Sequence, residues 1–190
     1  MSKTIVDLSM SLDGFTAGPS ISSESPMGEG GEKLHEWLFS GKTDIDKKIL
    51  EELVETSGVV ILGRRTYDVG IGDPWGGASP FNVPAFVVSG SRPEKMVKGF
   101  SFINDGIESA LNQAKSIAGN KNVWIMGGAN LAGQYIKAKL IDELHIHLVP
   151  ILLGGGSRLF ECTGPSIIEL EKIKSIESTG ATHIQFRMIK

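Results

Sequence analysis

The stretch that decides the fold is "VWIMGGANLAGQYI", residues 123–136. It begins as a β-strand, ends as a helix through Tyr135 and Ile136, and places Gly127 and Gly128 at the join. Removing both side chains where the backbone turns from strand to helix leaves room for something outside the protein to lie against the chain.

The same strand-then-turn pattern recurs on either side. "VVIL" (59–62) is an apolar run suited to a buried strand and leads into Gly63-Arg64-Arg65-Thr66. "AFVV" (85–88) leads into Ser89-Gly90-Ser91-Arg92. Between such strands the spacing predicts helices. In "TDIDKKILEELVETSG" (43–58), Thr43 caps, Asp46 follows three residues on, Ile49, Leu50, Leu53 and Val54 form an apolar stripe, and Gly58 stops the helix. In "DGIESALNQAKSIAGN" (105–120), Asp105 and Glu108 make a capping pair, Ile107, Leu111, Ala114 and Ile117/Ala118 the stripe, and Gly119 the end.

"TIVDLSM" (4–10) reads as a strand with Val6, Leu8 and Met10 on one face, and "FSFI" (100–103) as a short one. "ELHIHLV" (143–149) alternates with Leu144, Ile146 and Leu148 inward. "SIIELEKIKSIES" and "THIQFRMI" form a terminal hairpin around Thr179-Gly180. Residues 17–33 run without periodicity and are the candidate lid, followed by a short helix near "EKLHEWLFS" (32–40). This alternation predicts one α/β domain over residues 1–190, with a mostly parallel sheet flanked by helices and antiparallel strands at its C-terminal end.

Composition narrows the function. A hydrophobic content of 41% with 22% charged residues is that of an ordinary soluble globular protein. A net charge of -3 argues against a broad grip on nucleic acid or an anionic membrane. The single cysteine, Cys162, gives no internal disulfide and no thiolate cluster for a metal, and it reads as a buried or inert thiol in a reducing cytoplasm. The opening "MSKTIVDLSM" carries no apolar signal core, and no run reaches membrane-spanning length.

Three glycine-bearing turns at strand ends point to an anionic ligand of nucleotide size. Ligands of open parallel sheets bind outside the carboxyl ends of the strands. There, helix N-termini present free N–H groups, and Arg64 and Arg92 offer bidentate donors to phosphate oxygens. Neither the dinucleotide fingerprint G-x-G-x-x-G nor the P-loop pattern is present.

"VVILGRRTYD" and "VWIMGGANLAGQYI" resemble the corresponding strand–turn segments of dihydrofolate reductases. "TIVDLSMSLDGFTAG" and "DELHIHLVPILLGGGSRLF" resemble the terminal blocks of the reductase domain at the C-terminus of riboflavin-biosynthesis deaminase–reductases. The resemblance covers nearly the whole chain. It implies a doubly wound dihydrofolate reductase-like fold, NADPH as cofactor, a small-molecule substrate and a homodimer. On that resemblance Gly63, Arg64 and Thr66 hold the ribose 2′-phosphate and pyrophosphate, with Ser89 and Arg92 adding 2′-phosphate contacts. The backbone of Gly127, Gly128, Ala129, Asn130 and Leu131 cradles the pyrophosphate. Asp13, Gly14 and Phe15 lie beside nicotinamide and substrate, with Asp13 a catalytic candidate.

The chain departs from both patterns. Counting back from Gly63, the acid of dihydrofolate reductases falls at Lys47, with Asp46 one residue away as the second catalytic candidate and Asp44 three away. One residue turns a helical side chain by about 100°. Riboflavin-pathway reductases carry Glu where this chain has Met126. The expected activity is hydride transfer to a C=N or C=O group of a small heterocyclic or sugar-linked substrate. Dihydrofolate reduction proper and an NADP-binding module without turnover are the alternatives.

Other residues admit plainer readings. His145 and His147 have the spacing of two metal ligands, yet they fall on the polar face of their strand with no third ligand evident, so a solvent-facing or interface pair is expected and no metal site. Asp7 inside the first strand needs a partner if buried, through a structural hydrogen bond or a substrate contact. His35 reads as a surface residue. Trp37, Trp75 and Phe15 either flank a flat ring or pin down loops, and Arg158 in "LLGGGSRLF" suits an ion pair or a dimer contact.

Overall fold

Residues 2–40, 43–161, 163, 164 and 167–189 are described by a computed structural model. Cys162 and the start of the "SIIELEKIKSIES" strand at Ser166 lie outside the described residues.

Buried strands that are apolar on both faces require a covering layer on each side. The strands are β1 (Thr4–Ser11), β2 (Phe15–Ala17), β3 (Ser57–Gly63), β4 (Ala85–Val88), β5 (Phe100–Ile103), β6 (Asn122–Gly127), β7 (Glu143–Val149), β8 (Ser157–Arg158), β9 (Leu170–Glu177) and β10 (Thr182–Met188). The helices are α1 (Glu36–Phe39), α2 (Asp44–Thr56), α3 (Arg64–Gly70), α4 (Ile107–Ala118) and α5 (Ala129–Lys137). Eight strands make one sheet in the order β5-β4-β3-β6-β1-β7-β10-β9. The pairs from β5 through β7 are parallel, and β10 and β9 are added antiparallel. The expected α/β architecture with a C-terminal antiparallel hairpin is the one observed.

Period-two alternation divides each strand between two layers. On β3, Val59 and Ile61 join Leu111 and Ala114 of α4 and Leu131 and Tyr135 of α5 in the larger core. Val60 and Leu62 face the other way, against Tyr67 of α3, Ile71 and Phe100. On that second side α1 and α2 cover β1, β7 and β10, with Trp37 packed among Leu34, Val149 and Ala181.

Thr43 and Asp46 form a reciprocal capping box at the start of α2. The helix ends at Thr56, not at Gly58: Ser57 Oγ takes up the Leu53 carbonyl at 2.6 Å, and Gly58 lies inside β3. Gly58 is needed there because a Cβ would stand 2.9 Å from Ala118 Cα and Lys121 Cβ. Asp105 does not cap α4, whose N-cap is Gly106; its carboxylate accepts from Ser109 Oγ instead. The buried stripes are narrower than their sequence spacing suggests, since Val54 and Ile117 are exposed.

Two further short strands, β2 and β8, pair with each other beside the main sheet. Residues 17–33 close on themselves through Gly18 N–H to Met27 and Glu29 N–H to Pro19. The lid candidate is therefore a self-bonded loop that ends in a 3₁₀ turn at Gly31–His35.

Thr43→Ala removes the hydroxyl that accepts the Asp46 N–H, so urea unfolding is expected to lose about 1 kcal/mol of stability with an unchanged m-value.

Candidate active site

β4, β3 and β6 are neighbours, so their carboxyl ends open on one edge of the sheet. They enclose a trough of about 540 Å³ lined by Gly63, Arg64, Thr66, Ser89, Gly128, Asn130 and Leu131, together with Arg65, Val88, Gly90 and Gln134. Seven residues expected from the sequence thus share one hollow. Arg92, Gly127 and Ala129 are not among its lining residues: Arg92 is exposed beside it, and the other two are buried behind it.

The trough is held ready by its own bonds. Arg64 Nε donates to both carboxylate oxygens of Asp68, at 2.8 and 2.7 Å, and its Nη1 donates to Ser91 O at 3.2 Å. Ser89 Oγ donates to Ser91 O at 2.6 Å, fixing the turn after β4. Asp68 partly offsets the positive charge of Arg64 while aiming it along the trough wall.

Gly127 and Gly128 have separate reasons to be glycine. Gly127 sits at φ +113°, and a Cβ there would stand 2.9 Å from Leu8 Cδ2, so the backbone itself requires glycine. Gly128 has φ -72° and ψ -167°, outside the left-handed region that favours glycine. Its nearest neighbour to an added Cβ is Thr66 Oγ1 at 3.5 Å. The fold leaves space at Gly128, and that space belongs to the trough.

Asp13 and Asp46 are not brought together. The Asp13 carboxylate accepts from Ser11 Oγ at 2.6 Å and from the N–H groups of Leu153 and Gly154 at 3.1 and 2.7 Å. The Ser11 hydroxyl and these amides hold its pKa down to about 2, against the opposing effect of burial. Such a carboxyl is ionised at neutral pH, and here it ties the turn after β1 to the loop before β8. Gly14 donates to Ser11 O, and Phe15 is buried beneath the Arg158 guanidinium at 4.3 Å. Arg158 also donates to Asp13 O at 3.2 Å, so its partners lie within the chain.

Asp46 is fully buried under the start of α2. It accepts from Thr43 N–H and Oγ at 2.7 Å each and meets His183 Nε2 at 2.9 Å. Burial opposes its charge, but these donors hold its pKa below the usual carboxylate value.

The polar face of β7 is not solvent-facing, which corrects the expectation for His145 and His147. β7 lies between β1 and β10, and the second helix layer covers it, leaving His147 only 4% exposed. The register opposes Asp7 to His145, Ser9 to His147, and His147 to His183. His147 Nε2 meets Asp7 Oδ1 at 3.0 Å, and His147 Nδ1 meets His183 Nδ1 at 2.7 Å. Asp7 therefore has the structural partners that its burial demands. Burial alone would raise its pKa, but the charge of His147 and the hydrogen bonds of His145 and His147 hold it well below the ordinary range.

A cavity of about 120 Å³ lies between this face and α2, lined by Asp7, Ser9, His35, Trp37, Trp124, Met126 and His147 among apolar neighbours. His35, expected on the surface, is a half-buried wall residue. Trp37 Nε1 donates to Ser9 Oγ at 3.0 Å, whereas Trp75 stacks on Phe100 to pin its loop. Sequence reading missed this cavity and His183; alternating polar residues on strands that lie inside the sheet were the available signal. Among the described residues no group of three or more His, Cys, Asp or Glu is arranged to hold a metal, and no helix is long and apolar enough to cross a membrane.

The model of the RibD C-terminal domain family matches residues 2–183. The chain belongs to that family. Membership carries an oxidoreductase of the riboflavin-pathway kind. The chain is similar to the uncharacterized protein YwjB of Bacillus subtilis, at 31% identity over 186 residues, covering 95% of this chain and 96% of that protein. Over 72 residues it is 32% identical to the 2,5-diamino-6-ribosylamino-4(3H)-pyrimidinone 5′-phosphate reductase of Archaeoglobus fulgidus, 38% of this chain and 33% of that one. Among solved structures, Acinetobacter baumannii RibD superposes with TM-score 0.69 at 17% identity, over 100% of this chain and 59% of that one. Enterococcus faecalis dihydrofolate reductase complexed with NADP(H) superposes with TM-score 0.65 at 16% identity, over 99% and 97%. The dihydrofolate reductase-like fold implied by the sequence resemblance is thus the fold of this RibD C-terminal domain.

The depressed pKa of Asp7 sets a pH dependence. Its charge stabilises the folded state fully above the unfolded value of 3.8, and that contribution is lost progressively as pH falls from there through the lower folded value. Stability measured by denaturant titration is expected to decline below about pH 4, and Asp7→Asn to flatten that limb while lowering stability at neutral pH.

Proposed function

We propose that this RibD C-terminal domain is an NADPH-dependent reductase that delivers a hydride to a C=N or C=O group of a small heterocyclic or sugar-linked substrate. The observation that carries the reading is Gly128, where an added Cβ would meet nothing within the chain closer than Thr66 Oγ1 at 3.5 Å and would instead enter a trough of nucleotide size. NADPH, when bound, supplies the hydride. The chain's part is to bind and orient. Gly63, Arg64, Thr66 and Ser89 would hold the 2′-phosphate and pyrophosphate side with Asn130, Leu131 and the amides that open α5, while Arg92 reaches in from the rim.

β6 links the two hollows, with Trp124 and Met126 on the cavity and Gly128 two residues on at the trough. That arrangement favours a substrate ring in the cavity beneath α2, next to the nicotinamide end of the trough, with Asp13, Gly14 and Phe15 shaping its approach. The buried Trp124 Nε1 has no hydrogen-bond partner among the described residues, which suits a ring with an acceptor on its edge. Asp46 is taken up by Thr43 and His183 and is not among the residues that line the cavity, which favours this reading over dihydrofolate reduction proper. The working form is a cytoplasmic homodimer, for which edge strand β9 offers its outer side to a partner.

Fluorescence titration with NADPH tests the cofactor, with a Kd below about 1 mM expected. Arg64→Ala is expected to weaken binding about tenfold through loss of a charge-assisted contact. Gly128→Ala is expected to weaken it by a similar factor or more while destabilising the fold less than Gly127→Ala. Steady-state oxidation of NADPH with 2,5-diamino-6-ribosylamino-4(3H)-pyrimidinone 5′-phosphate as probe tests the reaction. Binding weaker than millimolar and indifferent to Arg64→Ala would end the proposal.

A further inference from the structure

The buried polar groups of the sheet form one continuous row. Asp46 Oδ1 lies 2.9 Å from His183 Nε2, His183 Nδ1 lies 2.7 Å from His147 Nδ1, and His147 Nε2 lies 3.0 Å from Asp7 Oδ1. Asp7 Oδ2 continues to His145 Nδ1 at 3.4 Å, His145 Nε2 to Glu143 at 3.2 Å, and Glu143 to the half-exposed Lys3 at 2.7 Å. Asp7 lines two hollows under α2: the 120 Å³ cavity, and a second of about 250 Å³ that His145, Glu143, Lys3 and Arg187 also line.

Counting protons assigns a charge to this row. A nitrogen–nitrogen contact of 2.7 Å needs one N–H and one bare lone pair. Each flanking contact needs an N–H facing a carboxylate. Three protons on two imidazoles satisfy all three contacts, so the pair carries one positive charge between Asp7 and Asp46.

We propose that this imidazole pair is the proton source of the reduction, passing its proton through Asp7 into the cavity beneath α2 and being reloaded from the second hollow through His145. The inference rests on the reductase reading above and names the acid that the sequence lacks. The His147 Nε2–H bond breaks as an O–H bond forms on Asp7. That O–H then breaks as the substrate nitrogen or oxygen takes the proton, while its carbon takes the hydride of the dihydronicotinamide. The double bond becomes HC–NH or HC–OH, Asp7 is again a carboxylate, and the pair is left with two protons and no charge. His145 next gives its Nδ1 proton to Asp7, which returns one to His147 Nε2, and solvent in the second hollow reprotonates His145.

The titratable and charged groups that face Asp7 and its two hollows are His145, His147 and Glu143 from β7, His183 and Arg187 from β10, Asp46 and Glu52 from α2, His35 from the 3₁₀ turn, and Lys3 ahead of β1. Burial and the charge of His147 push His183 below the ordinary histidine value, as one charge shared by two rings requires. Burial disfavours a charge on His145, but Asp7 and Glu143 outweigh it and raise its pKa, which suits a group that recaptures protons.

Two measurements on the full chain decide the matter. In ¹⁵N and ¹H NMR, the rings of His147 and His183 are expected to titrate together with one shared, far-downfield proton. His145→Gln is expected to slow exchange of that proton with solvent about tenfold or more. In turnover of NADPH with the pyrimidinone phosphate probe, the wild-type rate is expected to fall as rising pH empties the pair. Asp7→Asn is expected to lower kcat about 100-fold or more while NADPH affinity stays within about threefold. Rings that titrate independently, or exchange unaffected by His145→Gln, overturn the proposal even if Asp7→Asn does not fold. A folded Asp7→Asn protein with kcat within about threefold of wild type overturns it as well. NADPH binding with independent rings rejects the proton source alone, whereas an intact NMR signature without NADPH binding rejects the reductase reading and with it this use of the proton.

Discussion

A carboxylate in the middle of an eight-stranded sheet has to be compensated, and much of one face of this protein is arranged around that demand. Asp7 sits on β1, with four strands on one side and three on the other, under a helix layer that excludes most water. An unpaired charge in such a place is too costly to keep. Histidines from β7 stand within reach because the parallel register of β1 and β7 opposes them to Asp7 and Ser9. The antiparallel return of β10 then sets His183 against His147, and the capped start of α2 supplies Asp46 at the far end. Removing one member leaves another buried and unmatched, so helix layer and sheet are joined by charge as well as by apolar contact.

The opposite requirement shapes the carboxyl edge of β3, β4 and β6. There the chain clears side chains away and leaves backbone donors, hydroxyls and two arginines lining a shared hollow. The two glycines at the end of β6 divide the work. Gly127 lets the strand turn past Leu8, and Gly128 keeps the wall of the trough free. Because Met126 and Trp124 face the cavity while Gly128 faces the trough, one strand end joins the trough to a small polar-floored pocket. A reductase needs that adjacency, since donor and acceptor must meet away from water.

Much of this was legible in the residues. Apolar alternation in β1, β3, β6 and β7, and the stripes of α2 and α4, mark the elements because burial imposes the same periods on any chain. Glycine at three successive strand ends marks the trough because backbone can approach a ligand only where Cβ is missing. Helix ends were less legible: Gly58 reads as a stop but serves strand–helix packing against Ala118. The histidines of β7 were misread for a physical reason. Alternation tells which residues share a face, but it does not tell what covers that face.

The sequence by itself determined the eight strands of the main sheet, its longer helices, its mostly parallel character and the three glycine turns at the trough, because these follow from local periodicity and from the steric freedom of glycine. Only the tertiary structure decided that Asp7, Asp46, His147 and His183, scattered from one end of the chain to the other, form a single row. Contact among them depends on strand register and on the seat of α2 over the sheet. Both are set by packing between elements distant in sequence, and no local pattern encodes them.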